Sequence, residues 1–340
     1  EIFSEYNSGV QTKRDNLVID TSKESLINKI RNFLSSSLDD KAIKDIFNLS
    51  EKGDINLSQA RDKIKKNSPD ITLDVLPYIY RPLDNRWIYF RNELISRIRK
   101  PLSNEIINER NIALVISRKL PINTNFRHGF VVNKLVDLHS VADQSYFFPL
   151  SISNNKQKSI FKDQSHLDLA GVQKELDEYS ENKKSNIKAE IISKLSGLIY
   201  KTISPEEIFH YIYAILYSNI YRKKYNEFLK IDFPRIPFTK DLVLFNKLAK
   251  LGKELVDLHL LKSEELENLS AKFPITGNSR IKKRQYDEKS GRIYINDTQY
   301  FEGIAPEIWN YYIGGYQVLD KWLKDRTNRI LSPEDVNHFL

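Results

Sequence analysis

SPEEIFHYIYAILYSNIYRKKYNEFLKIDFPRIPF, residues 204–238, carries the strongest helix signal in the chain and its sharpest stop. Ser204 suits an N-cap, Pro205 suits the first helical position where no N–H is needed, and Glu207 stands three residues after Ser204, as a capping box requires. A helix is predicted from there, with Ile208, Ile212, Ile215, Leu216 and Ile220 on one face. Arg222, Lys223, Lys224 and Lys230 gather toward the far end, where the helix dipole favours cations. Pro234 and Pro237 forbid continuation, so the chain should run extended from Phe233 to Phe238.

The rest of the chain gives this helix a large core to join. At 340 residues, two domains or one elongated one are expected at about 100 to 200 residues each. Hydrophobic residues make up 40% and charged residues 29%, and no apolar run approaches the roughly 18 residues that span a bilayer. A membrane protein is therefore not expected. Cysteine is absent, which removes disulfides and thiolate metal sites and makes a reducing, cytoplasmic setting the expectation. Lys plus Arg outnumber Asp plus Glu by 53 to 45, a balance that permits a polyanionic partner without requiring one. Methionine is also absent, although about seven would be expected at a usual abundance of roughly 2%. The expectation is a piece of a longer protein, with methionines or loops missing from the sequence and Cα–Cα steps beyond about 3.8 Å at several junctions.

Toward the N-terminus, Leu17, Val18 and Ile19 form a short apolar run suited to a buried strand, preceded by Lys13 and Arg14 in a turn. Thr21 and Glu24 are spaced as a capping box for a helix bearing Leu26, Ile27, Ile30, Phe33 and Leu34. Residues 35–70 are polar and weakly helical. YIYRPLDNRWIYF, 78–90, reads as strand, turn and strand about Pro82, and 112–117, 129–133 and 146–152 read as further short strands of a mixed or antiparallel sheet. Residues 153–188 turn polar, which places a boundary there.

Beyond the organising helix, Thr239 is the expected cap of a second amphipathic helix, in which Gly252 implies close approach by another element. Residues 280–303 read as a basic β-meander turning at Lys289-Ser290-Gly291. A helix from Pro306 should bury Trp309, Tyr312, Ile313, Tyr316, Leu319 and Leu323 on one face, and another starts at Ser332-Pro333.

No dinucleotide or phosphate-binding glycine loop, GxSxG elbow or HExxH pair occurs. The six histidines are scattered, and His210 and His259 read as packed or capping residues. A nuclease reading would pair Pro69-Asp70 with Glu181-Asn182-Lys183 around Mg²⁺. Cations interleaved with aromatics are the stronger candidates, because phosphates call for Lys or Arg and base edges for Arg, Asn, Gln or stacking rings. Four clusters qualify: Lys13 and Arg14; Arg81, Asn85, Arg86 and Trp87; Arg118, Lys119 and Arg127; and Arg280, Lys282, Lys283, Arg284 and Tyr286. Period-two alternation would put Lys282 and Arg284 on one strand face. A solvated surface is the bland reading of each cluster, and for Arg81 and Asp84 an internal ion pair that pins the turn. The Tyr213, Tyr217, Tyr221 stripe reads as packing.

SGVQTKRDNLVID, YRPLDNRWIYF, NIALVISRK, YFFPLSI, EIFHYIYAILYSNIYRKKYNEFLKIDFPRIPFT, LGKELVDLHLL and EIWNYYIGGYQVLDKWLKDR, in this order, resemble the C-terminal region of type ISP restriction-modification enzymes and related N6-adenine DNA methyltransferases. The resemblance runs the length of the chain and implies a target-recognition region that reads double-stranded DNA. It also implies nuclease, motor and methyltransferase domains upstream, where the S-adenosylmethionine pocket and NPPY motif would lie. Lys13 and Arg14 would then approach DNA near the target base. The chain departs from the family at Leu83, where Phe is usual, and around Pro101 to Asn111.

The expectation is an α+β chain: a mixed-sheet recognition lobe over 1–165, then a helix-rich lobe over 166–340 carrying the meander. Arg81, Asn85, Arg86 and Arg127 would reach groove edges while the other cations hold phosphates. A helical protein-interaction module, its positive charge incidental, is the alternative from another class, and the Mg²⁺-dependent nuclease a third.

Overall fold

The computed structural model describes residues 1–35, 37–49, 55–67, 70–100, 102–107, 111–121, 123–154 and 183–340. The expected 165/166 boundary and Glu181-Asn182 lie outside them. The first half comprises β1 (Asn7–Ser8), α1 (Asp15–Val18), β2 (Ile19–Asp20), α2 (Lys23–Ser35), α3 (Asp40–Ile46), α4 (Leu57–Asn67), β3 (Val75–Arg81), β4 (Asp84–Tyr89), β5 (Ala113–Ser117), β6 (Gly129–Val132), β7 (Leu135–Val136), β8 (Ser145–Pro149) and β9 (Ser151–Ser153). The second comprises β10 (Lys183–Ser185), α5 (Ala189–Ile199), α6 (Pro205–Tyr217), α7 (Asn219–Lys224), α8 (Leu242–His259), β11 (Gln285–Asp287), β12 (Arg292–Tyr294), β13 (Tyr300–Glu302), α9 (Pro306–Trp309), β14 (Tyr312–Ile313), β15 (Tyr316–Gln317), α10 (Val318–Lys324) and α11 (Pro333–Phe339). This is the α+β architecture expected from the sequence.

Two four-stranded sheets organise the first half, an antiparallel one in the order β1-β8-β5-β6 and a mixed one in the order β2-β4-β3-β7, where β3 and β7 run parallel. The apolar run of β5 is buried on both sides because alternate residues serve different cores. Leu114 and Ile116, with Val131 and Phe148 from the neighbouring strands, pack against α5, α6 and α8. Ala113 and Val115, with Phe130, Val132 and Phe147, face Ile79, Val136, Ile313 and Val318. A third core lies between the mixed sheet, α2 and α4, and a fourth joins the meander to α10 and α11.

The capping box at Ser204 and Glu207 opens α6 as predicted, and α6 lies so close to α8 at Gly252 that a Cβ there would stand 1.8 Å from the His210 carbonyl oxygen. The helix ends sooner than its spacing implies. Ser218 accepts from the Tyr221 N–H and starts α7 in a new direction, which leaves Ile220 81% exposed instead of on the buried face. Asp241, not Thr239, caps α8, and Thr239 accepts from the Asp241 N–H. Leu17 and Val18 belong to α1, so only Ile19 and Asp20 form strand. At the next helix Ser22 replaces Thr21 as the cap, accepting from the Ser25 N–H. Residues 35–70, which carried no motif, hold α3 and α4, with the Asp40 carboxylate accepting from the Leu57 and Ser58 N–H groups at 2.9 and 2.8 Å.

The helix expected from Pro306 is one turn long. Gly314, at φ +62, and Gly315 donate their N–H groups to the Arg127 and Val141 carbonyls, and this pull on the backbone converts the next stretch into the β14–β15 hairpin. Tyr312 is thereby exposed and Ile313 buried. The meander forms as expected, in the order β11-β12-β13, but Lys282 and Arg284 precede β11 and share no strand face. The N–H groups of Lys282 and Lys283 both converge on the Ile295 carbonyl.

Candidate nucleic-acid interface

The β3–β4 hairpin is the centre of the site. Pro82 and Leu83 form its turn, and Leu83 has φ 58, the left-handed conformation that a type II turn demands at its third position. Leucine there is strained, and the C-terminal helix supports it: His338 Nε2 donates to the Leu83 carbonyl at 2.7 Å.

The hairpin arginines are matched internally. Arg81 pairs with Asp137 at 2.8 Å, and the Tyr78 hydroxyl donates to the same carboxylate at 2.6 Å. Asp84, 1% exposed, accepts from Arg86 at 2.6 Å and from Arg326 at 2.9 Å, and Arg86 reaches on to Asp325 at 3.1 Å. Internal ion pairs do pin this turn, although Arg81 and Asp84 each choose a partner other than one another. Burial pushes the Asp84 carboxyl upward, but Arg86 and then Arg326 outweigh it and hold the group below its ordinary value. The Tyr80 ring lies between the two guanidiniums, each 3.9 Å from its centroid, and its hydroxyl donates to Asp15. That bond ties the hairpin to the segment holding Lys13 and Arg14. Lys13 is exposed at φ 58, whereas Arg14 is buried and donates to the Thr12 and Leu94 carbonyls.

Asn85 and Trp87 lie on the opposite strand face. They line a cleft of about 850 Å³ whose walls also include Lys23, Arg280, Arg329 and His338. Lys23 Nζ sits 5.1 Å over the Trp87 ring, Arg329 reaches Asp20 at 3.2 Å, and Arg280 donates to the Asn328 carbonyl. The structure thus brings the hairpin cluster together with one member of the meander cluster. Lys282 is exposed, while Lys283 and Arg284 pair with Asp297 and Asp320, and Tyr286 stacks on Trp309 and donates to the Ile304 carbonyl.

The 118–127 loop lies at the end of β5 and β6. Arg118 pairs with Asp232 across an exposed surface, Lys119 is exposed, and Arg127 lies 5.2 Å over Tyr312. The β14–β15 hairpin links this loop to the site's centre, since Tyr316 lies 5.5 Å from the Arg81 guanidinium. Lys23, Arg329, Tyr312 and Tyr316 escape a sequence reading because only the fold places them beside the clusters.

Asp70 caps a turn, accepting from the Thr72 N–H and hydroxyl, and these bonds lower its carboxyl below the ordinary value. Among the described residues no group of three or more His, Asp or Glu could hold a metal ion, and no helix is long and apolar enough to cross a membrane.

Three solved structures resemble the whole chain. A DNA complex of a nuclease-deletion mutant of the Type ISP restriction-modification enzyme LlaGI superposes with TM-score 0.64 at 20% identity, over 100% of this chain and 26% of that one. A DrdV–DNA complex gives 0.68 at 22%, over 99% and 32%. The DNA-bound, ATP-dependent Type ISP enzyme LlaBIII gives 0.68 at 21%, over 100% and 22%. The chain therefore spans a third or less of the length of each. No curated protein matches it. Residues 1–338 match the family described as the Type ISP C-terminal specificity domain, and the chain belongs to that family.

Proposed function

We propose that the chain reads a sequence in double-stranded DNA as the specificity region of a cytoplasmic restriction-modification enzyme. The upstream parts of that enzyme would supply N6-adenine methylation, with its S-adenosylmethionine, together with motor and nuclease activities. The observation that carries the proposal is the family match from residue 1 to 338, the domain named for specificity. The interface geometry supports it and divides the labour. Arg81 and Arg86, held by internal partners, set the hairpin's position, while Arg14 holds its own segment through the Thr12 and Leu94 carbonyls. Asn85 and Trp87 at the cleft face the grooves, and Arg127, over Tyr312 of the β14–β15 hairpin, meets a phosphate. Lys13, Lys119, Arg280 and Lys282 meet phosphates, with Arg118, Lys283, Arg284 and Tyr286 at the margins. Each bidentate base contact would be worth about 1–3 kcal/mol of discrimination.

Selection of duplexes from a random library with the purified chain tests this. One enriched motif is expected, bound at least a hundredfold more tightly than its scrambled counterpart, with log K falling linearly in log salt. Binding that is independent of both sequence and salt would replace DNA reading with a protein-interaction role.

A further inference from the structure

Arg222 was legible in the sequence as a cation suited to a helix end, and it has a more specific setting. Its guanidinium lies 4.5 Å over the Tyr217 ring and 6.0 Å from the Phe126 ring. Nε donates to the Leu216 carbonyl at 2.6 Å, whereas Nη2 is buried without an acceptor. Tyr217 also packs on His259, whose Nε2 lies 3.5 Å from the Tyr311 hydroxyl. The next residue, Tyr312, lies beneath the exposed Arg127. Two guanidiniums therefore flank one aromatic patch, and among the described residues neither has a carboxylate partner. The nearby imidazoles add no charge of their own. Both His128 and His259 are pushed down to about 4 by burial first and then by Arg222, so they are neutral at pH 7.

An unsatisfied buried donor costs about 1–3 kcal/mol, and like charges side by side add to that. The buried Arg326 guanidinium, by contrast, has the Asp84 carboxylate at 2.9 Å. An anion at the patch would relieve both arginines, with the half-buried Arg222 turning Nη2 outward to meet it.

We propose that Arg127 and Arg222 form a binding site for a phosphate group, filled in function by a backbone phosphodiester of the bound duplex. The phosphate site stands on the geometry of the patch, while the source of the phosphate rests on the DNA-reading function above. Arg222 is thus a ligand-binding residue, and its cost to the free protein is offset on binding.

The test uses the whole chain, with Arg222→Met and Arg127→Gln variants. Melting temperature is measured against inorganic phosphate, with chloride at matched ionic strength as control. Phosphate should raise the melting temperature of the unsubstituted chain more than that of either variant, whose smaller rise is the general effect of an excluded anion. Without phosphate, Arg222→Met should melt higher than the parent, because an unmatched cation has gone. A lower melting temperature with the phosphate response intact would overturn the site and make Arg222 a structural cation. Arg127→Gln, at an exposed position, supplies the same comparison should the buried variant fail to fold.

In the DNA arm, each variant should lower the slope of log K against log salt by about 1, with preference for the selected duplex unchanged. Loss of the phosphate response with an unchanged slope would sink the DNA source alone. A phosphate response in a chain that binds no duplex would instead sink the reading on which that source rests.

Discussion

His128 and His259 show what burial of single side chains does to this protein. Each is held neutral, its pKa lowered to about 4 from an ordinary 6.5, with burial first and Arg222 second among the causes. The unfolded chain binds protons there that the folded chain refuses, so their share of stability is whole above about pH 6.5 and drains away as pH falls toward 4. Urea midpoints should fall steadily over that interval, with each ring accounting for on the order of 2–3 kcal/mol. His259→Gln should flatten the profile, although Tyr213 then loses the ring nitrogen 2.6 Å from its hydroxyl. Asp84, whose carboxyl is depressed, gives up its share only at lower pH, as it protonates. At this scale the cations were legible and their partners were not. Arg81 finds Asp137, 56 residues on, and Asp84 finds Arg326, 242 residues on. No local pattern encodes pairings over such separations, so a sequence reading names the arginines without knowing that their charge is matched.

Elements whose signals are local came through well. The capping boxes at Ser204 and Ser332, the turn at Pro82 and the three-stranded meander all form, because each rests on residues within a few positions of one another. Elements failed where a neighbour competes for the backbone. Gly314 gives its N–H to Arg127 instead of to a helical carbonyl, and the apparent helical period of 309–323 is then coincidental. Gly252 is the opposite case, a glycine whose reason could be inferred before its partner was known. Gly252→Ala should destabilise the chain by roughly 3 kcal/mol, since the α6 backbone facing it cannot retreat without opening the first core. Gly197 is the control. It lies exposed in α5 with nothing within 4 Å of an added Cβ, so Gly197→Ala should stabilise by about 0.5–1 kcal/mol. Thermal melts of the two variants would show shifts of opposite sign, and equal shifts would mean that helix propensity, not close packing, governs both.

Across the whole molecule, the first core draws Phe3, Leu114 and Phe148 from one half and Ile208, Leu216 and Phe245 from the other. The fourth core, by contrast, meets the β3–β4 hairpin through polar links: Arg326 to Asp84, Asp325 to Arg86, and His338 to the Leu83 carbonyl. Buried ion pairs seldom add net stability over apolar replacements, but they fix geometry, and breaking one partner is costly. Asp84→Ala should therefore destabilise by about 3–5 kcal/mol, because it leaves the Arg326 and Arg86 guanidiniums buried with one carboxylate fewer. Arg326→Met should cost less, and the double variant less than the sum, since the second change removes one of the charges that the first had stranded. On the proposed DNA-reading function, the same coupling reaches recognition. With Arg326 gone, the hairpin tip keeps its residues but loses its fixed place relative to the cleft, so preference for the selected duplex should fall more than affinity for a scrambled one. Amide exchange over residues 78–89 should quicken in step. Equal losses on both duplexes, with exchange unchanged, would mean that the C-terminal helices support the fold without setting the position from which the hairpin reads.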